Sequence, residues 1–372
     1  MKTNRPVTLV NTNPSIALVK TNPSVALVIL NWNTAFYLER FLPFLLATTY
    51  ENKEIYVIDN NSTDGSLEML RTRFPMVHIL PMTDNKGFAG GYNFGLNRID
   101  ADYFLIVNSD IEVTPGFIEP LIGLLENNPG IGICQPKLLA LDRRDHFEYA
   151  GAAGGWIDRL GLPFARGRVL TTIEKDTGQY DTTEEVFWAT GACMCFSSKL
   201  FHQTGGFYDY YYMHQEDIDL CWRVRNMGYS IYACPASVVY HMGGGTLSWE
   251  NYLKTFLTFR NNYILISRNL PFFHAGAIVS IRLATDFLGY FYFLIRREPG
   301  VSKAMLKAAL SFFWWLLTYR DKTNPQPKGW KNMPCIYPGT ILIPYFLRKK
   351  RKFTELVRTN TVPHAQRALK EI

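Results

Sequence analysis

The stretch Tyr103-Phe-Leu-Ile-Val-Asn-Ser-Asp110 decides the fold class of this chain. Residues 103–107 form an apolar run that predicts a buried strand, and the strand ends in Asn108, Ser109 and Asp110. A carboxylate at the carboxyl end of a buried strand lies where open α/β sheets bind their ligands. Asp110 is therefore a candidate ligand for a divalent cation, which in turn binds diphosphates. The alternative is an ordinary turn residue at the end of a strand.

Strands and helices alternate on either side of this stretch. Apolar runs predict strands at 25–30, 54–59, 77–80 and 103–107. Helical spacing of apolar residues predicts helices at 35–48, 66–74, 90–98 and from Pro115 to the Asn127-Asn128-Pro129-Gly130 turn. This alternation predicts right-handed βαβ units and an α/β fold with a mostly parallel, Rossmann-like sheet and flanking helices.

The pattern becomes less regular after residue 137. Residues 140–185 are rich in Gly, Asp, Arg and Thr and predict a long excursion over the active face. Regular structure returns with strands at 186–189 and 192–196, a helix over 216–227, and strands at 229–233 and 238–241.

Length and composition bound the architecture. The chain has 372 residues, 47% of them hydrophobic, which is enough for one large domain with an appendage or for two domains. The formal net charge of +7 is concentrated in the basic run 348–352 and in Arg296 and Arg297. Such patches suit anionic lipids or nucleic acid. No nucleic-acid-reading motif is present and the neighbouring segments are apolar, so we expect no nucleic acid and favour lipid over a solvated tail.

The cysteines and the amino terminus indicate a cytosolic protein. None of the six cysteines has C-x-x-C spacing and most lie in apolar runs, so we expect them to be buried and reduced. No continuous apolar segment of a secretory signal is present. Residues 12–20 and 21–29 form a near-perfect tandem repeat. The second copy continues into the first predicted strand, and the first is either an extra edge strand or a loosely held leader.

The region after residue 250 is helical, aromatic and basic. Residues 277–295 approach the length of a membrane span, but Arg282 and Asp286 interrupt the segment, and 305–319 is short for a span. Two amphipathic helices lying in the membrane interface fit this pattern best. A true span and a soluble helical cap are the alternatives.

A second acidic cluster, Gln215-Glu-Asp-Ile-Asp219, is the candidate for proton transfer. Glu216, Asp217 and Asp219 lie at the start of a predicted helix, where the helix dipole favours acids without any function. Against that interpretation, His214 and three consecutive tyrosines precede the cluster. A crowded aromatic cleft raises the pKa of a carboxylate and so suits it to act as a general base.

Three further motifs have weaker individual signals. Asp59 ends a predicted strand and opens an Asx-rich turn, where it either accepts a hydrogen bond from a nucleobase or caps a helix. The glycine-rich segment 85–93 opens a helix, either to let the backbone approach a diphosphate or as a tight helix entry. His241 ends a strand before a glycine run and is either a ligand of a metal or diphosphate, or structural.

In this order the motifs resemble the family 2 inverting glycosyltransferases of the GT-A fold, especially the bacterial rhamnosyltransferase-like members. The resemblance runs from about residue 25 to about residue 269. It rests on Ile29-Leu-Asn-Trp-Asn33, Val57-Ile-Asp-Asn-Asn-Ser-Thr-Asp-Gly65, segment 85–93, Asn108-Ser-Asp110, Trp188-Ala-Thr-Gly-Ala192, Glu216-Asp217 and His241.

The resemblance implies a role for each matching residue. Asp217 is implied as the general base, with Glu216 and Asp219 as neighbours that tune it or hold the acceptor. Asp110 and His241 are implied as the protein ligands of Mg²⁺ or Mn²⁺. The donor nucleotide is implied to contact Asn31, Asn33, Asp59, Lys86, Gly87 and Asn108. The sugar and acceptor sites are implied to be bordered by Trp188, Thr190, Gly191 and, more loosely, Arg260.

One position departs from the commonest family pattern. The metal motif often begins with Asp, whereas this chain has Asn108. The site is therefore one negative charge poorer and we expect modest metal affinity. Asn also occurs here among the rhamnosyltransferase-like members, so activity is still expected.

The expected function is transfer of a sugar, with rhamnose as a candidate, from a nucleotide-diphosphate donor to a lipid-linked or polysaccharide hydroxyl in cell-surface glycan synthesis. The expected organisation is a leader at 1–24, a GT-A domain at 25–250 and a membrane-associating region at 251–372, on the cytoplasmic face of the inner membrane. A sugar nucleotidyltransferase would need a longer basic, glycine-rich loop after the first strand. A non-catalytic scaffold is the other alternative, and the intact acids argue against it.

Overall fold

The computed structural model describes residues 22–243, 252–320, 329–330 and 333–357. The first copy of the tandem repeat and the expected domain boundary at residue 250 lie outside these ranges. The helices are α1 (Ala35–Leu46), α2 (Ser66–Arg73), α3 (Gly87–Leu96), α4 (Ile118–Asn127), α5 (Ser198–Thr204), α6 (Glu216–Asn226), α7 (Tyr252–Asn269), α8 (Phe272–Ile295), α9 (Pro299–Thr318), α10 (Leu342–Phe346) and α11 (Phe353–Leu356). The strands are β1 (Val25–Asn31), β2 (Lys53–Asp59), β3 (His78–Pro81), β4 (Tyr103–Val107), β5 (Ile111–Val113), β6 (Ile131–Ala140), β7 (Gly155–Asp158), β8 (Pro163–Ala165), β9 (Arg168–Val169), β10 (Thr172–Ile173), β11 (Glu184–Val186), β12 (Cys193–Ser197), β13 (Ser230–His241) and β14 (Ile336–Tyr337).

A nine-stranded mixed sheet forms the centre of the molecule, as the α/β prediction requires. Its order is β11-β13-β6-β12-β4-β1-β2-β3, with β5 paired to β13. The four strands β4-β1-β2-β3 are parallel, whereas β12 runs antiparallel between β4 and β6. The chain direction across the sheet reverses between β1 and β4, and ligands of open α/β sheets bind at such a switch point. The carboxyl ends of β1 and β4 therefore mark the expected site.

The apolar runs predicted the first half of the molecule well. The predicted strands and helices between residues 25 and 128 are confirmed to within a few residues at each end. Elements β5, β6 and α5 were not predicted, and the strand expected at 186–189 was placed too late, since β11 ends at Val186. Strand β13 is one continuous element with an irregularity between Cys234 and Val238, not two strands. All six cysteines are free and buried, as predicted.

The excursion at 140–185 contains a second sheet that the sequence did not predict. This sheet has the order β10-β9-β8-β7-β14 and takes its last strand from the C-terminal region. Its strands are two to four residues long, too short to show a period of two in the sequence. The sheet borders the switch point of the large sheet, which is where the sequence placed this excursion.

The long helices α7, α8 and α9 pack together, and α7 also contacts α6. Helix α7 packs against both α8 and α9. The Tyr263 hydroxyl of α7 donates a hydrogen bond to Asp286 of α8 at 2.7 Å, and the Ser302 hydroxyl of α9 donates to the Tyr290 carbonyl of α8 at 3.0 Å. Arg282, in the middle of α8, is buried and contacts Asp286 at 3.3 Å. The two charged residues that interrupt this apolar helix therefore face the protein.

Candidate active site

A cleft of about 430 Å³ opens at the switch point of the large sheet. Residues that follow β1, β2 and β4 line it, among them Trp32, Asn60 and Asp110. Residues of the second sheet and of the start of α6 also line it, among them Arg168 and Asp217. Several predicted site residues therefore converge on one cavity, although they come from distant parts of the chain. Of the predicted set, the residues that line it are Gly87, Asn108, Asp110, Trp188, Thr190, Gly191, Glu216 and Asp217.

The predicted nucleobase residues form a hydrogen-bond network between the loops that follow β1 and β2. The Asn31 amide donates to Asp59 Oδ1 at 2.7 Å and to the Ser62 hydroxyl at 3.0 Å. Asn31 and Asp59 are almost fully buried. Asn33 has a left-handed backbone, with φ of 54°, and accepts a hydrogen bond from the Thr63 amide at 2.7 Å. These contacts tie the loop after β1 to the loop after β2, and Asn60 is the nearby polar side chain that lines the cleft.

The glycine-rich segment packs tightly against the loop that precedes the acidic cluster. Gly87 has φ of 67°, and a Cβ at this position would lie 2.5 Å from the Tyr212 carbonyl oxygen. The Tyr212 carbonyl also accepts hydrogen bonds from the amides of Phe88, at 2.6 Å, and Ala89, at 3.2 Å. Close packing thus explains this glycine without a ligand. The Lys86 side chain is half exposed, and its role with the donor stays a prediction.

We expect Gly87→Ala to destabilise the protein by about 2–4 kcal/mol, because the left-handed backbone and the overlap with Tyr212 both oppose a Cβ. Gly123→Ala is the matched control. Gly123 lies within α4, and a Cβ added there would meet no heavy atom within 4 Å, so alanine is expected to be stabilising by about 0.5–1 kcal/mol. Chemical denaturation of both variants measures the difference. Equal stabilities would contradict the tight packing of Gly87.

Asp110 and His241 are adjacent, although 131 positions separate them. Antiparallel pairing of β5 with β13 places His241 opposite Ile111, and the Met242 amide donates to the Asp110 carbonyl at 3.1 Å. His241 Nε2 lies 3.0 Å from Asp110 Oδ1, and its Nδ1 lies 3.3 Å from Glu148 Oε2. Burial alone would raise the pKa of Asp110, but the charge of His241 and its hydrogen bond outweigh burial and lower it.

The donor set at this position fits a divalent cation bound together with a nucleotide. Within the described ranges, no group of three or more His, Cys, Asp or Glu side chains has the arrangement of a metal site. Mg²⁺ bound with a nucleotide takes only one or two protein carboxylates and completes its shell with phosphate oxygens and water. Adjacent ligands of an octahedral ion with bonds of about 2.1 Å lie about 3 Å apart, which is the spacing of Asp110 Oδ1 and His241 Nε2. The same spacing also suits a direct hydrogen bond.

Asp217 has the position and ionisation of a candidate base. It lies in the first turn of α6, and its carboxylate accepts hydrogen bonds from the amides of Gly191, at 2.9 Å, and Ile218, at 2.8 Å. Burial raises its pKa, and these backbone hydrogen bonds only partly oppose the rise. A fixed carboxylate with a raised pKa takes up a proton more readily than a solvated one.

Glu216 lines the cleft beside Asp217. Burial, and then the neighbouring charge of Asp217, raise the pKa of Glu216 well above its ordinary value. In the part of the chain that the structure describes, its Oε2 is buried without a hydrogen-bond partner. Glu216 is therefore a second acidic group available to a ligand in the cleft.

Asp219 and Arg260 lie outside the cleft wall that the described residues form. Asp219 is fully buried, and burial is outweighed by the charges of Arg223 and Arg268, which lower its pKa. Arg223 Nε lies 2.8 Å from its carboxylate. Arg260 donates to the carbonyls of Tyr210, at 2.9 Å, and Tyr211, at 3.0 Å. Both residues hold neighbouring segments in place, and direct contact with substrate stays only a prediction for them.

The segment before α6 is held in an unusual backbone conformation. Tyr212, His214 and Gln215 all have positive φ values, between 65° and 72°. The Asn261 amide of α7 donates to the carbonyls of Tyr211, Met213 and His214 at 2.8–3.1 Å. Helix α7 thereby fixes the loop that orients Glu216 and Asp217.

The predicted sugar-site residues Trp188, Thr190 and Gly191 line the cleft and make hydrogen bonds to both sheets and to α6. The Trp188 indole donates to the Trp156 carbonyl at 3.0 Å, and the Thr190 amide donates to Gln135 Oε1 at 2.9 Å. Gly191 contacts Asp217 through its amide. These residues connect the large sheet to the second sheet at the position of the acidic cluster.

Several residues that line the cleft were not predicted from the sequence. His214 is largely buried, and burial followed by the charge of Lys254 lowers its pKa to about 4. Nothing in the local sequence identified the members contributed by the second sheet and α7. The additional lining residues include Tyr37, Asn85, Tyr149, Pro163, Arg168, Met213, Lys254 and Thr258.

Comparisons with known proteins agree with this geometry. Residues 26–203 match the family model described as glycosyl transferase family 2. The N-acetylglucosaminyl-diphospho-decaprenol L-rhamnosyltransferase of Mycobacterium tuberculosis is 29% identical over 229 residues, which cover 56% of this chain and 73% of that protein. The low-salt glycan biosynthesis hexosyltransferase Agl10 of Haloferax volcanii is 23% identical over 216 residues, covering 57% of this chain and 66% of that protein.

A solved structure shares the fold. GalNAc-T7, in complex with UDP, GalNAc and Mn²⁺, superposes with a TM-score of 0.53 at 13% sequence identity, covering 83% of this chain and 59% of that one. At this identity the likeness concerns the fold alone. Together, the match of residues 26–203 to glycosyl transferase family 2 and the named relatives show a glycosyltransferase of the hexosyltransferase type, with which the α/β sheet and its cleft agree.

Proposed function

We propose that this chain is an inverting transferase that moves a sugar, with rhamnose as the leading candidate, from a nucleoside-diphosphate donor to a hydroxyl of a lipid-linked or polysaccharide acceptor in cell-surface glycan synthesis. The observation that carries the proposal is that Asp110 and Asp217 line one cleft at the switch point of the sheet. The name of the M. tuberculosis relative, with its lipid diphosphate-linked acceptor, supports the substrate class.

Asp110 and His241 are the residues proposed to hold Mg²⁺ or Mn²⁺. When bound, such an ion neutralises the negative charge that develops on the departing nucleoside diphosphate. The nucleoside is proposed to lie toward Trp32 and Asn60, with Asn31, Asn33 and Asp59 holding the loops that follow β1 and β2. Lys86, Gly87 and Asn108 are proposed to lie along the ribose and diphosphate.

Asp217 is proposed to act as the general base. The acceptor oxygen forms a bond to the anomeric carbon, the bond from that carbon to the diphosphate oxygen breaks, and the acceptor proton passes to Asp217. A single displacement inverts the anomeric configuration and needs no nucleophilic residue. The Gly191 amide fixes the carboxylate at 2.9 Å, and Trp188 and Thr190 are proposed to border the transferred sugar.

The proposed domain division has a structural consequence. We assign residues 25–250 to the catalytic domain and 251–372 to a membrane-associating region. Lys254 and Thr258 of α7 nevertheless line the cleft, and Asn261 holds the loop before α6. The first helix of the C-terminal region, α7, therefore forms part of the cleft of the catalytic domain.

The function is tested by calorimetry of donor binding. The wild-type protein is titrated with dTDP-L-rhamnose, UDP-glucose, UDP-N-acetylglucosamine and GDP-mannose, each with Mn²⁺, with Mg²⁺ and with chelator. We expect one donor to bind, at least about tenfold more tightly with metal than without, because an ion held by Asp110 and His241 would neutralise charge on the diphosphate. Failure of every donor to bind in the presence of either metal would contradict the proposal.

The membrane surface is the proposed partner of helices α8 and α9. Within the described ranges, only α8 is long and apolar enough to cross a membrane. Arg282 and Asp286 tie its middle to the protein, which argues for a peripheral position. The solvent-facing sides of α8 and α9 expose many large apolar side chains. Arg296 and Arg297 lie exposed at the turn between α8 and α9. The exposed apolar residues of α9 and its flank are Leu306, Leu310, Phe313, Trp314, Leu317 and Tyr319.

We expect the protein to bind vesicles that contain phosphatidylglycerol, and the double variant Trp314→Ser, Leu317→Ser to bind at least about tenfold more weakly. The two side chains are 61% and 83% exposed, and each large apolar group buried in the interface contributes about 1.5–3 kcal/mol. Met76→Ser is the matched control, because Met76 is 59% exposed in the loop before the edge strand β3. Sedimentation with vesicles gives the affinities.

Alkaline carbonate distinguishes the position in the bilayer. A peripheral protein is released by carbonate, so release from native membranes is expected. Retention after carbonate treatment would indicate a span, and absence of vesicle binding would indicate a soluble cap. Either result would contradict interfacial attachment.

A further inference from the structure

Arg168 is a buried cation that lines the cleft and plays no part in the mechanism above. It is 7% exposed. Its Nη1 makes a long hydrogen bond, 3.4 Å, to the Leu170 carbonyl, and its guanidinium lies 4.6 Å from the centre of the Tyr149 ring. Within the described ranges no carboxylate lies within 4.0 Å of it, and its Nε is buried without a hydrogen-bond partner. A buried charge is costly without a partner of opposite sign.

Neighbouring arginines show what Arg168 lacks. Arg166, two residues earlier, lies 3.5 Å from Glu184, and Arg225 lies 3.0 Å from Glu185. Those ion pairs satisfy the charges within the fold. Arg168 instead lines the cleft with the Tyr149 side chain as a hydrogen-bond partner and with its Nε unpartnered among the described residues, and a guanidinium in such a position suits phosphate oxygens.

Arg168 lies on a different sheet from the proposed nucleoside residues. It lies in β9 of the second sheet, whereas Trp32 and Asn60 follow β1 and β2 of the large sheet. A ligand that contacts Arg168 therefore meets the second sheet, whereas the proposed nucleoside site lies on the large sheet. Asp217, the proposed base, lines the same cleft as Arg168.

Arg168 is also close to an exposed basic and apolar patch. The next strand pairs Ile173 with Arg168, and its neighbour Thr172 lies 2.8 Å from the Tyr345 hydroxyl of α10. At the end of α10 the chain exposes Phe346 and Leu347, at 66% and 78%, and then the basic residues 348–352. Such a combination suits an anionic membrane surface. The patch at 346–352 is thus connected through Tyr345 and Thr172 to the strand β9, where Arg168 lines the cleft.

We infer that Arg168, with Tyr149 beside it, binds the phosphate of a lipid phosphate- or diphosphate-linked acceptor whose chain leaves the cleft over the patch at 346–352. This inference rests on the proposed function and adds the acceptor class and its binding residue. The donor diphosphate presents the same chemistry, so the test separates the two.

The test measures the affinity for geranyl diphosphate with the tightest nucleoside diphosphate of the donor panel and Mn²⁺ at saturation. Arg168→Gln is expected to weaken geranyl diphosphate at least about tenfold, the effect of losing one charged hydrogen bond. It is expected to change nucleoside-diphosphate affinity, measured separately, by less than about twofold. Geraniol, which lacks phosphate, is expected to bind both proteins equally. Arg159→Gln is the matched control, because Arg159 is an exposed arginine next to β7 of the same sheet.

Several outcomes would overturn the inference. One is an unchanged affinity of Arg168→Gln for geranyl diphosphate, and another is absence of geranyl diphosphate binding to the wild type. A third is an equal loss of affinity for the nucleoside diphosphate, which would assign Arg168 to the donor site. If thermal unfolding shows that Arg168→Gln does not fold, Arg168→Lys replaces it in the same binding measurements. It keeps the charge without the planar fork, so a loss of about 3–10-fold for geranyl diphosphate alone is expected. Failure of the proposed function itself would appear separately, as absence of donor binding to the wild type.

Discussion

Replacing Asp217 by asparagine is expected to reduce the rate of sugar transfer by about 10²–10⁴-fold, the contribution of a positioned general base. The amide is nearly isosteric and still accepts a hydrogen bond from the Gly191 amide, which lies 2.9 Å from the carboxylate. Donor affinity is therefore expected to be unchanged. Steady-state transfer assays and calorimetry on the same samples separate the two effects.

The pH dependence of the wild type gives a second readout of this residue. Burial raises the pKa of Asp217 above its ordinary value, and only the ionised carboxylate accepts a proton. Activity is therefore expected to fall as the pH decreases through this raised pKa, with a midpoint above that of an ordinary aspartate. The residual activity of Asp217→Asn should lack this acidic limb.

Asp142→Asn is the matched control for this prediction. Asp142 is an exposed aspartate in the loop after β6, so its replacement should leave both the rate and the pH profile unchanged. A rate for Asp217→Asn within about tenfold of the wild type would fall below the range for a general base and would assign the proton to another group. Glu216 would then be the first candidate.

Replacing Asp110 by alanine is expected to abolish the effect of metal on donor binding. If Asp110 anchors the ion that neutralises the diphosphate, its loss should remove the whole metal effect and so cost at least about tenfold in affinity for the donor with Mn²⁺ present, or about 1.4 kcal/mol. In chelator the variant and the wild type should bind equally weakly. Calorimetry with Mn²⁺ and with chelator provides all four values.

Glu112→Gln is the control for Asp110. Glu112 lies two residues later on β5 and pairs with the exposed Arg144 at 2.7 Å, away from the cleft. Its replacement should leave the metal effect intact. A tightening by Mn²⁺ that survives in Asp110→Ala would show that the ion is held elsewhere, for example through Glu148.

The sequence predicted the strands of the large sheet where each strand is a continuous apolar run. Strands β1 and β4 and the second half of β2 are buried on both faces, so their sequences carry the signal directly. The second sheet escaped prediction because its strands are too short for a periodic pattern and because β14 pairs with β7 from 179 residues away along the chain, Ile336 with Ile157. Arg168 belongs to that sheet, and its place in the cleft was therefore not visible in the sequence.

The candidate site was predicted in part by motif order and in part by resemblance. Local patterns pointed to Asp110 and Asp217, each at the end of a regular element. Only the resemblance associated His241 with Asp110, since their contact depends on the pairing of β5 with β13.

Helical geometry explains why Asp219 is not in the cleft wall. Residues i and i+2 of a helix do not share a face. Asp217 lines the cleft, so Asp219 points into the protein, where Arg223 and Arg268 surround it.

The most direct test of the proposed chemistry is NMR of the transfer reaction. The wild-type protein, Mn²⁺ and the donor selected by calorimetry are incubated with a synthetic N-acetylglucosaminyl diphosphate carrying a short lipid chain. We expect one nucleoside diphosphate to be released per glycoside formed, with the anomeric configuration of the transferred sugar inverted, and at least about 100-fold slower product formation with Asp217→Asn. A product with retained configuration, or donor hydrolysis without a glycoside, would contradict a single displacement onto an acceptor hydroxyl assisted by Asp217.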